Sequence, residues 1–376
     1  MKIEGTLTTR SPLTIASPNA GDVRVNLSGR YGKQGFPATE VVRLGVPSQG
    51  EEHPALRVPV ISANSLRGQL RRAGTRLVEQ ALKARGEKIT LGTFHSLHCG
   101  TPYGHPDQDS PGTTEIQKAL TVPPLAVFGG GPRMLESALR VDTGFPVTTE
   151  TISRGLVNDR HLDRAMAADD RLTTFLFLRR ADDAATFVAH DLAEHVVGNY
   201  AEAVDAWQTL IGKSLDAESA DDAESEKAGV FRGLAALNAM EIVLPGATFS
   251  FGLDLQSDNP RSQGFLLLAL ADFANAQTLG GHKRLGFGRF ALDVHCALDG
   301  AEHAALTCTA GQYAPNIGVA AIKSAVTAAN DWLASVTAAE LETLLRPSET
   351  SLASVKKKLK GNAEAEAALA TVFGAA

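Results

Sequence analysis

The chain is poor in cysteine, methionine, tryptophan and tyrosine, with 3, 4, 2 and 4 of each among 376 residues. Three cysteines (Cys99, Cys296, Cys308), far apart and odd in number, argue against a disulfide framework and fit a reducing, cytoplasmic setting. Long hydrophobic runs are lacking. The apolar segment 265–271 (FLLLALA) falls far short of the roughly 20 residues that a membrane helix needs. The opening MKIEGTLTTR has no apolar core of an export signal. Positive charge is not in excess either: a net charge of -6 argues against a protein that coats nucleic acid indiscriminately. What remains is a globular composition, 44% hydrophobic and 21% charged, able to build a sizeable core as one large domain with insertions or as two.

One stretch lacks acids altogether: Leu279-Gly280-Gly281-His282-Lys283-Arg284-Leu285-Gly286-Phe287-Gly288-Arg289-Phe290. Glycine can take positive φ and lets a ligand approach the backbone. Exposed N–H groups in such a turn can cradle an anion, and Lys283 and Arg284 add charges suited to phosphate. The same glycines also suit a helix C-cap followed by a strand. No Gly-Lys-Ser/Thr follows, so this is not a Walker loop, and it does not open a helix as a dinucleotide-binding loop would.

Charge elsewhere is uneven. Arg57 to Thr90 holds eight basic and two acidic residues, whereas Asp216 to Glu226 holds six acids and no base, which predicts a mobile tether. Within VPVISANSLRGQLRRAGTRLVEQALKARG, Ser62 or Asn64 can cap a helix and Gly86 can end it. Leu66, Leu70, Ala73, Leu77 and Ala81 form its buried stripe. Arg67 with Arg71, and Arg72 with Arg76, make cationic rows beside the stripe. Cations near a helix start oppose the macrodipole, so an anion held by Asn64, Ser65, Arg67 and Arg71 would relieve them. A solvated basic face is the plain alternative.

Residues 92–118 look loop-like. His95, His98, Cys99 and His105 are of zinc-binding types, but their spacing matches no standard site, so no metal or other cofactor is expected. The pattern then gives a strand over 1–16, an excursion over 17–58 with a hairpin, a strand over 135–141, an arm over 143–187 carrying Arg154, Arg160 and Arg164, and a helix over 189–213. A short helix over 231–240, a strand over 248–255, a helix over 263–279, a strand over 287–297 and a helical tail from about 315 follow. Thr337 and Glu340 suggest a capping box, and Lys356-Lys357-Lys358 a solvated face. Stripped of insertions the order is β-α-β-β-α-β. This predicts an α+β chain with an RRM-like (ferredoxin-like) core over 1–300, insertions at 17–58 and 143–245 (a thumb-like arm and a helical insertion), and a C-terminal helical extension over 301–376.

Three blocks carry a resemblance. VPVISANSLRGQLR resembles I-P-G-S-S-L-K-G-x-L-R. Leu125 to Gly129 with Arg140-Val141-Asp142 resembles L-F-G…R-(V)-x-D. GGHKRLGFGRF resembles G-G-x-x-x-x-G-x-G-R. In this order and rough spacing they are similar to the RAMP superfamily of CRISPR-associated proteins. Within it they are most similar to the Cas-seven-type backbone subunit of type IV effector complexes. The resemblance implies a subunit that polymerises along a guide crRNA as a helical filament, with other effector subunits and a target nucleic acid as partners and no membrane. It implies RNA contacts at Asn64, Ser65, Arg67, Arg71, Arg154, Gly280, Gly281, His282, Lys283, Arg284 and Gly286.

Related type III subunits cut RNA with an aspartate after the first strand. Here Asp22 stands without acidic neighbours in sequence, and no cleavage is expected. Two rival functions remain. One is a RAMP-type endoribonuclease that processes the guide precursor, for which His282 would be the general acid or base. The other is an enzyme that binds a small phosphorylated molecule.

Overall fold

A computed structural model describes residues 1–15, 23–26, 33–36, 38–44, 56–100, 112–166, 172–180, 198–199, 201–203, 205–206, 236–298, 300–347, 349–360 and 362–373. Asp22, His105, the acidic segment 216–226 and most of 189–213 lie outside them. Two units are distinguished: residues 1–15, 40–172 and 243–376, and residues 16–39 and 173–242.

In the first unit, β1 (Lys2–Thr9) alternates as its sequence requires. Ile3 and Leu7 turn inward with Gly5 between them, and Glu4 turns outward. It lies between β10 (Thr248–Leu255) and β11 (Phe290–Leu298), antiparallel to both. Beyond β10 come β6 (Leu139–Val141) and β7 (Phe145–Pro146), and beyond β11 comes β12 (Ala301–Ala304). The order is therefore β12-β11-β1-β10-β6. Because each neighbour is antiparallel, β1 and β6 run parallel across β10, and β10 and β11 run parallel across β1. Parallel strands need crossovers. They are supplied by α1 (Ala63–Ala84) and α6 (Pro260–Ala276).

Phe249, Phe251, Leu253 and Leu255 of β10 and Phe290, Leu292, Val294 and Cys296 of β11 join both helices in one core. A helix apolar on nearly every side must be buried on nearly every side. That explains α6, where Phe265, Leu266, Leu267, Ala269 and Leu270 are all buried. Burying each large side chain contributes about 1.5–3 kcal/mol. The last side of α6 packs on α7 (Ala320–Ser335) so closely that a Cβ at Gly264 would overlap the Ala325 carbonyl. Phe265 meets Trp332 edge-on at 5.8 Å.

Several expectations are corrected. The stretch 92–118 is not loop-like throughout: α2 (Leu91–Cys99) and α3 (Thr113–Leu120) occupy much of it. The Thr90 hydroxyl caps α2 and Gly100 closes it with φ 80°. The run at 125–128 is a short helix, α4 (Pro123–Phe128). In the second unit, Ala236–Val243 forms β9 rather than a helix. It pairs with β8 (Thr173–Arg180), and β2 (Val23–Asn26) pairs separately with β3 (Lys33–Phe36). There the Glu241 carboxylate takes hydrogen bonds from the Thr39 amide (2.9 Å) and the Thr173 hydroxyl (3.1 Å).

The region 143–166, expected as part of a projecting arm, belongs to the first unit, with α5 (Thr149–Ser153) followed by a 3-10 turn at Asp159–Arg164. Arg160 ties that turn to Glu4 (2.6 Å) and Glu302 (2.9 Å), and Arg164 ties it to Asp293 (3.5 Å), on the polar face of the sheet.

The strands β4 (Val41–Leu44) and β5 (Leu56–Pro59) pair with each other. A hairpin of β13 (Leu306–Thr309) and β14 (Gln312–Pro315) precedes the C-terminal helices α7, α8 (Ala338–Leu345), α9 (Glu349–Leu359) and α10 (Ala363–Phe373). Capping groups exchanged across long sequence distances hold α7 and α8 to α1 and α2. Arg85 donates to the Leu333 carbonyl (3.0 Å) and to that of Val336, Glu87 accepts from the Ala338 amide (2.6 Å), and Glu342 accepts from the Thr93 hydroxyl (2.8 Å). Among the described residues no helix is long and apolar enough to cross a membrane.

Candidate nucleic-acid interface

The glycine-rich loop leaves α6 through Gln277, in the left-handed region at φ 45°, and enters β11 at Phe290. Its two ends lie against each other and against residues 10–14. Leu279 N–H donates to Gly288 O (3.0 Å), Gly288 N–H to Pro12 O (2.8 Å), Gly281 N–H to Thr14 O (3.0 Å) and Arg10 N–H to Arg289 O (2.8 Å). Gly280 and Gly288 serve this junction. Both have positive φ, and a Cβ on either would overlap a carbonyl oxygen, that of Thr14 or Leu279 respectively.

The tip is different. His282, at φ 54°, starts a 3-10 turn over Lys283–Leu285, and Gly286 ends it at φ 78° with open space where a Cβ would be. His282, Lys283 and Arg284 are exposed. Among the described residues the amides of these three donate no hydrogen bond. The expected anion cradle is thus narrower than four glycines suggest. Gly281 spends its amide on Thr14, does not take positive φ, and would place a Cβ 3.2 Å from the Thr14 hydroxyl.

The basic helix separates likewise into two parts. Ser62, not Asn64, caps α1, accepting from the Ser65 amide at 3.4 Å, while Asn64 is exposed. Arg67 donates to Phe128 O (3.0 Å), and Arg71 to Phe128 O (2.5 Å) and Gly129 O (3.0 Å). The Arg71 guanidinium also lies 5.7 Å from the Phe128 ring centre. Those carbonyls end α4, so the two arginines answer the negative end of a neighbouring helix. Their charge is met at least in part by main-chain carbonyl dipoles of the same chain. Burial first, and Arg67 second, lower the Arg71 pKa to about 10, while Cys99 nearby raises it. Arg71→Ala is accordingly expected to destabilise the fold by about 2–3 kcal/mol, since two acceptors lose charge-assisted bonds. Thermal or urea unfolding measures it; an unchanged midpoint would show that the two carbonyls need no partner.

The other row faces the loop. Arg72 is exposed and, among the described residues, makes no ion pair or hydrogen bond. Arg76 is bound to Asp272 on the last turns of α6 (Nε–Oδ2 2.8 Å). Burial, then Arg72 and Arg76, lower the Lys283 pKa, so the loop tip sits in the field of that row. The same three causes, with His95 added, lower that of His98 on α2. Arg72 and Arg76 join the candidate site through this field, although the sequence reading placed only Arg67 and Arg71 of α1 in it. Their i,i+4 spacing was visible, but the loop that approaches them is two hundred residues away. Arg154 pairs with Glu150 one turn earlier, and no hydrogen bond or ion pair among the described residues joins it to the loop or to α1.

The His282 ring lies 6.1 Å from that of Phe287, and among the described residues no hydrogen bond orients its imidazole. No group of three or more metal-ligating residues occurs among the described residues.

No family model and no curated protein matches this chain. Among solved structures, it is similar to a chain of a "Type IV-B CRISPR Complex", with TM-score 0.45 and 17% identity, covering 80% of this chain and 93% of that one.

Proposed function

We propose that this chain is a non-catalytic, crRNA-binding backbone subunit of a CRISPR effector complex, a Cas-seven-type RAMP protein that assembles as copies along its guide RNA. The observation that supports the RNA-binding part is the exposed, acid-free tip of the glycine-rich loop, where Lys283 and Arg284 stand side by side and the amides of residues 282–284 donate no hydrogen bond among the described residues; Lys283 also lies in the field of Arg72 and Arg76 on α1. Cations crowded enough to depress one another are stabilised by an anion between them, and a polyphosphate backbone supplies one. The class of complex comes from the three sequence blocks, and these fit the fold. The first block's arginines hold the second block's Phe128-Gly129 turn, and the third block's glycines close the loop. An RRM-like core is supported by the sheet, in which two crossovers interleave so that the first strand is central and the second lies beyond the third. Target pairing through the guide, and contacts with other subunits, follow from the same reading.

The chain is proposed to hold RNA without cutting it. The sequence supports this reading, since Asp22 stands without acidic neighbours in sequence and no second His or Tyr lies close to His282 in sequence to share general acid–base work. Guide-length RNA incubated with the purified protein and magnesium is expected to stay intact on a denaturing gel. Magnesium-dependent cleavage that disappears in Asp22→Ala would overturn this, and cleavage that disappears in His282→Ala would favour the processing enzyme.

A further inference from the structure

We infer that a pocket beside Phe94 receives a base of the bound single-stranded RNA, stacked on the Phe94 ring; this rests on the RNA-binding reading above. The pocket has a volume of about 520 Å³ and lies between the C-terminal end of α1 and the start of α2. Leu82, Ile89, Leu91 and Phe94 give it apolar walls, and Lys83, Lys88, Glu79 and Glu87 also line it, Glu87 being engaged by Arg85. Ligand sites of this size are typically apolar with a few polar groups. Leu91 is 62% exposed, which is unusual for a leucine beside an open pocket.

Three observations choose a nucleobase as the occupant. First, the Phe94 ring is held by a stacked neighbour, His98, with centroids 5.2 Å apart and planes at 29°. A ring stacked on one side and bordering a pocket is a platform for a further flat ring, and stacking tolerates any base. Second, the pocket continues the cationic row. Arg72, Arg76 and Lys83 recur on one helical face, interrupted by Glu79, and the 11 steps from Arg72 to Lys83 span about 16 Å at the helical rise. A strand whose phosphates lie on Lys283 and Arg72 is thereby led along α1 to the pocket. His98, in the field of Arg72 and Arg76, joins the row to the ring pair. Third, among the described residues Lys83 and Lys88 make no ion pair, so their charges are open to phosphates flanking the inserted base. Glu79, also lining the pocket, offers a carboxylate to an exocyclic amino group.

The test uses the full chain and a single-stranded RNA, either unmodified or carrying 5-iodouridine. Phe94→Ala is expected to weaken binding about 5- to 100-fold, the range that one base–aromatic stack supplies. Phe94→Tyr keeps the platform and should bind as the parent does. Leu91→Trp fills the pocket without removing a buried side chain, and should weaken binding comparably while leaving the unfolding temperature unchanged. Ultraviolet cross-links from iodouridine should map to Phe94 by mass spectrometry. Parent-like binding by both Phe94→Ala and Leu91→Trp, with binding lost in Lys283→Ala/Arg284→Ala, would overturn the pocket and leave the RNA-binding reading standing. Absence of RNA binding by the parent protein would overturn both.

Discussion

Gly288→Ala is expected to remove about 3–6 kcal/mol of folding stability. Gly288 sits at φ 78°, where an L residue is strained by roughly 1–2 kcal/mol. A methyl group there would run into the Leu279 carbonyl oxygen, and backbone displaced by overpacking costs about 1–3 kcal/mol more. The displacement would strain the Leu279–Gly288 and Gly288–Pro12 hydrogen bonds, each worth about 1 kcal/mol net. The sum approaches the whole stability of many domains, about 5–15 kcal/mol. Gly286→Ala is the control. Its φ is also 78°, but the space around it is open, so only the conformational cost of roughly 1–2 kcal/mol applies. Urea unfolding of both variants measures the difference. Equal losses would mean that the close approach at Gly288 carries no weight.

Replacing Arg72, Lys283 and Arg284 together by alanine should flatten the dependence of log RNA affinity on log salt by roughly two units, at about 0.7 for each single-strand phosphate left without its cation. Binding should weaken about equally for two unrelated sequences, because phosphate contacts carry no sequence information. The fold should survive, since all three side chains are exposed and none makes an ion pair or side-chain hydrogen bond among the described residues. Arg76 is a poorer choice for this experiment: its link to Asp272 joins α1 to α6, so its loss mixes packing with binding. An unchanged slope, or a loss confined to one sequence, would show that the loop and α1 do not hold the backbone.

Much of the core was legible because its signals are local. Phe249, Phe251 and Leu253 alternate, FLLLALA is apolar all round, and Leu66, Leu70 and Ala73 recur at helical spacing. The α1 stripe drifts as 3.6-residue periodicity requires, so that Val78 and Leu82, rather than Leu77 and Ala81, are fully buried at its far end.

What was illegible depended on distant partners. The segment 236–243 (ALNAMEIV) contains good helix formers, yet pairing with β8 makes it a strand. Its context overrides its propensity. Gly92, Thr93 and Ser96 hid α2, a helix held by Thr90 and by Glu342 from the far end of the chain. The β13–β14 hairpin did leave a signal in Ala310-Gly311, both at positive φ, in a two-residue loop between short strands.

The site shows the same division. The loop announced itself by composition, but glycines that bind a ligand look in sequence like glycines that bind a neighbouring strand. Arg67 and Arg71 looked free because their acceptors are main-chain carbonyls about sixty residues on, which no side-chain pattern reveals. The field that Arg72 exerts at Lys283 arises only on folding, across a long sequence separation, and leaves no mark in either local sequence.

The central claim, assembly along RNA, is tested most directly by the size and absorbance ratio of the purified full-length chain before and after ribonuclease. The account predicts large particles with a nucleic-acid absorbance that collapse to single chains when the RNA is digested. Particles unchanged by ribonuclease, or a chain that purifies free of RNA and stays monomeric when guide-length RNA is added, would contradict it.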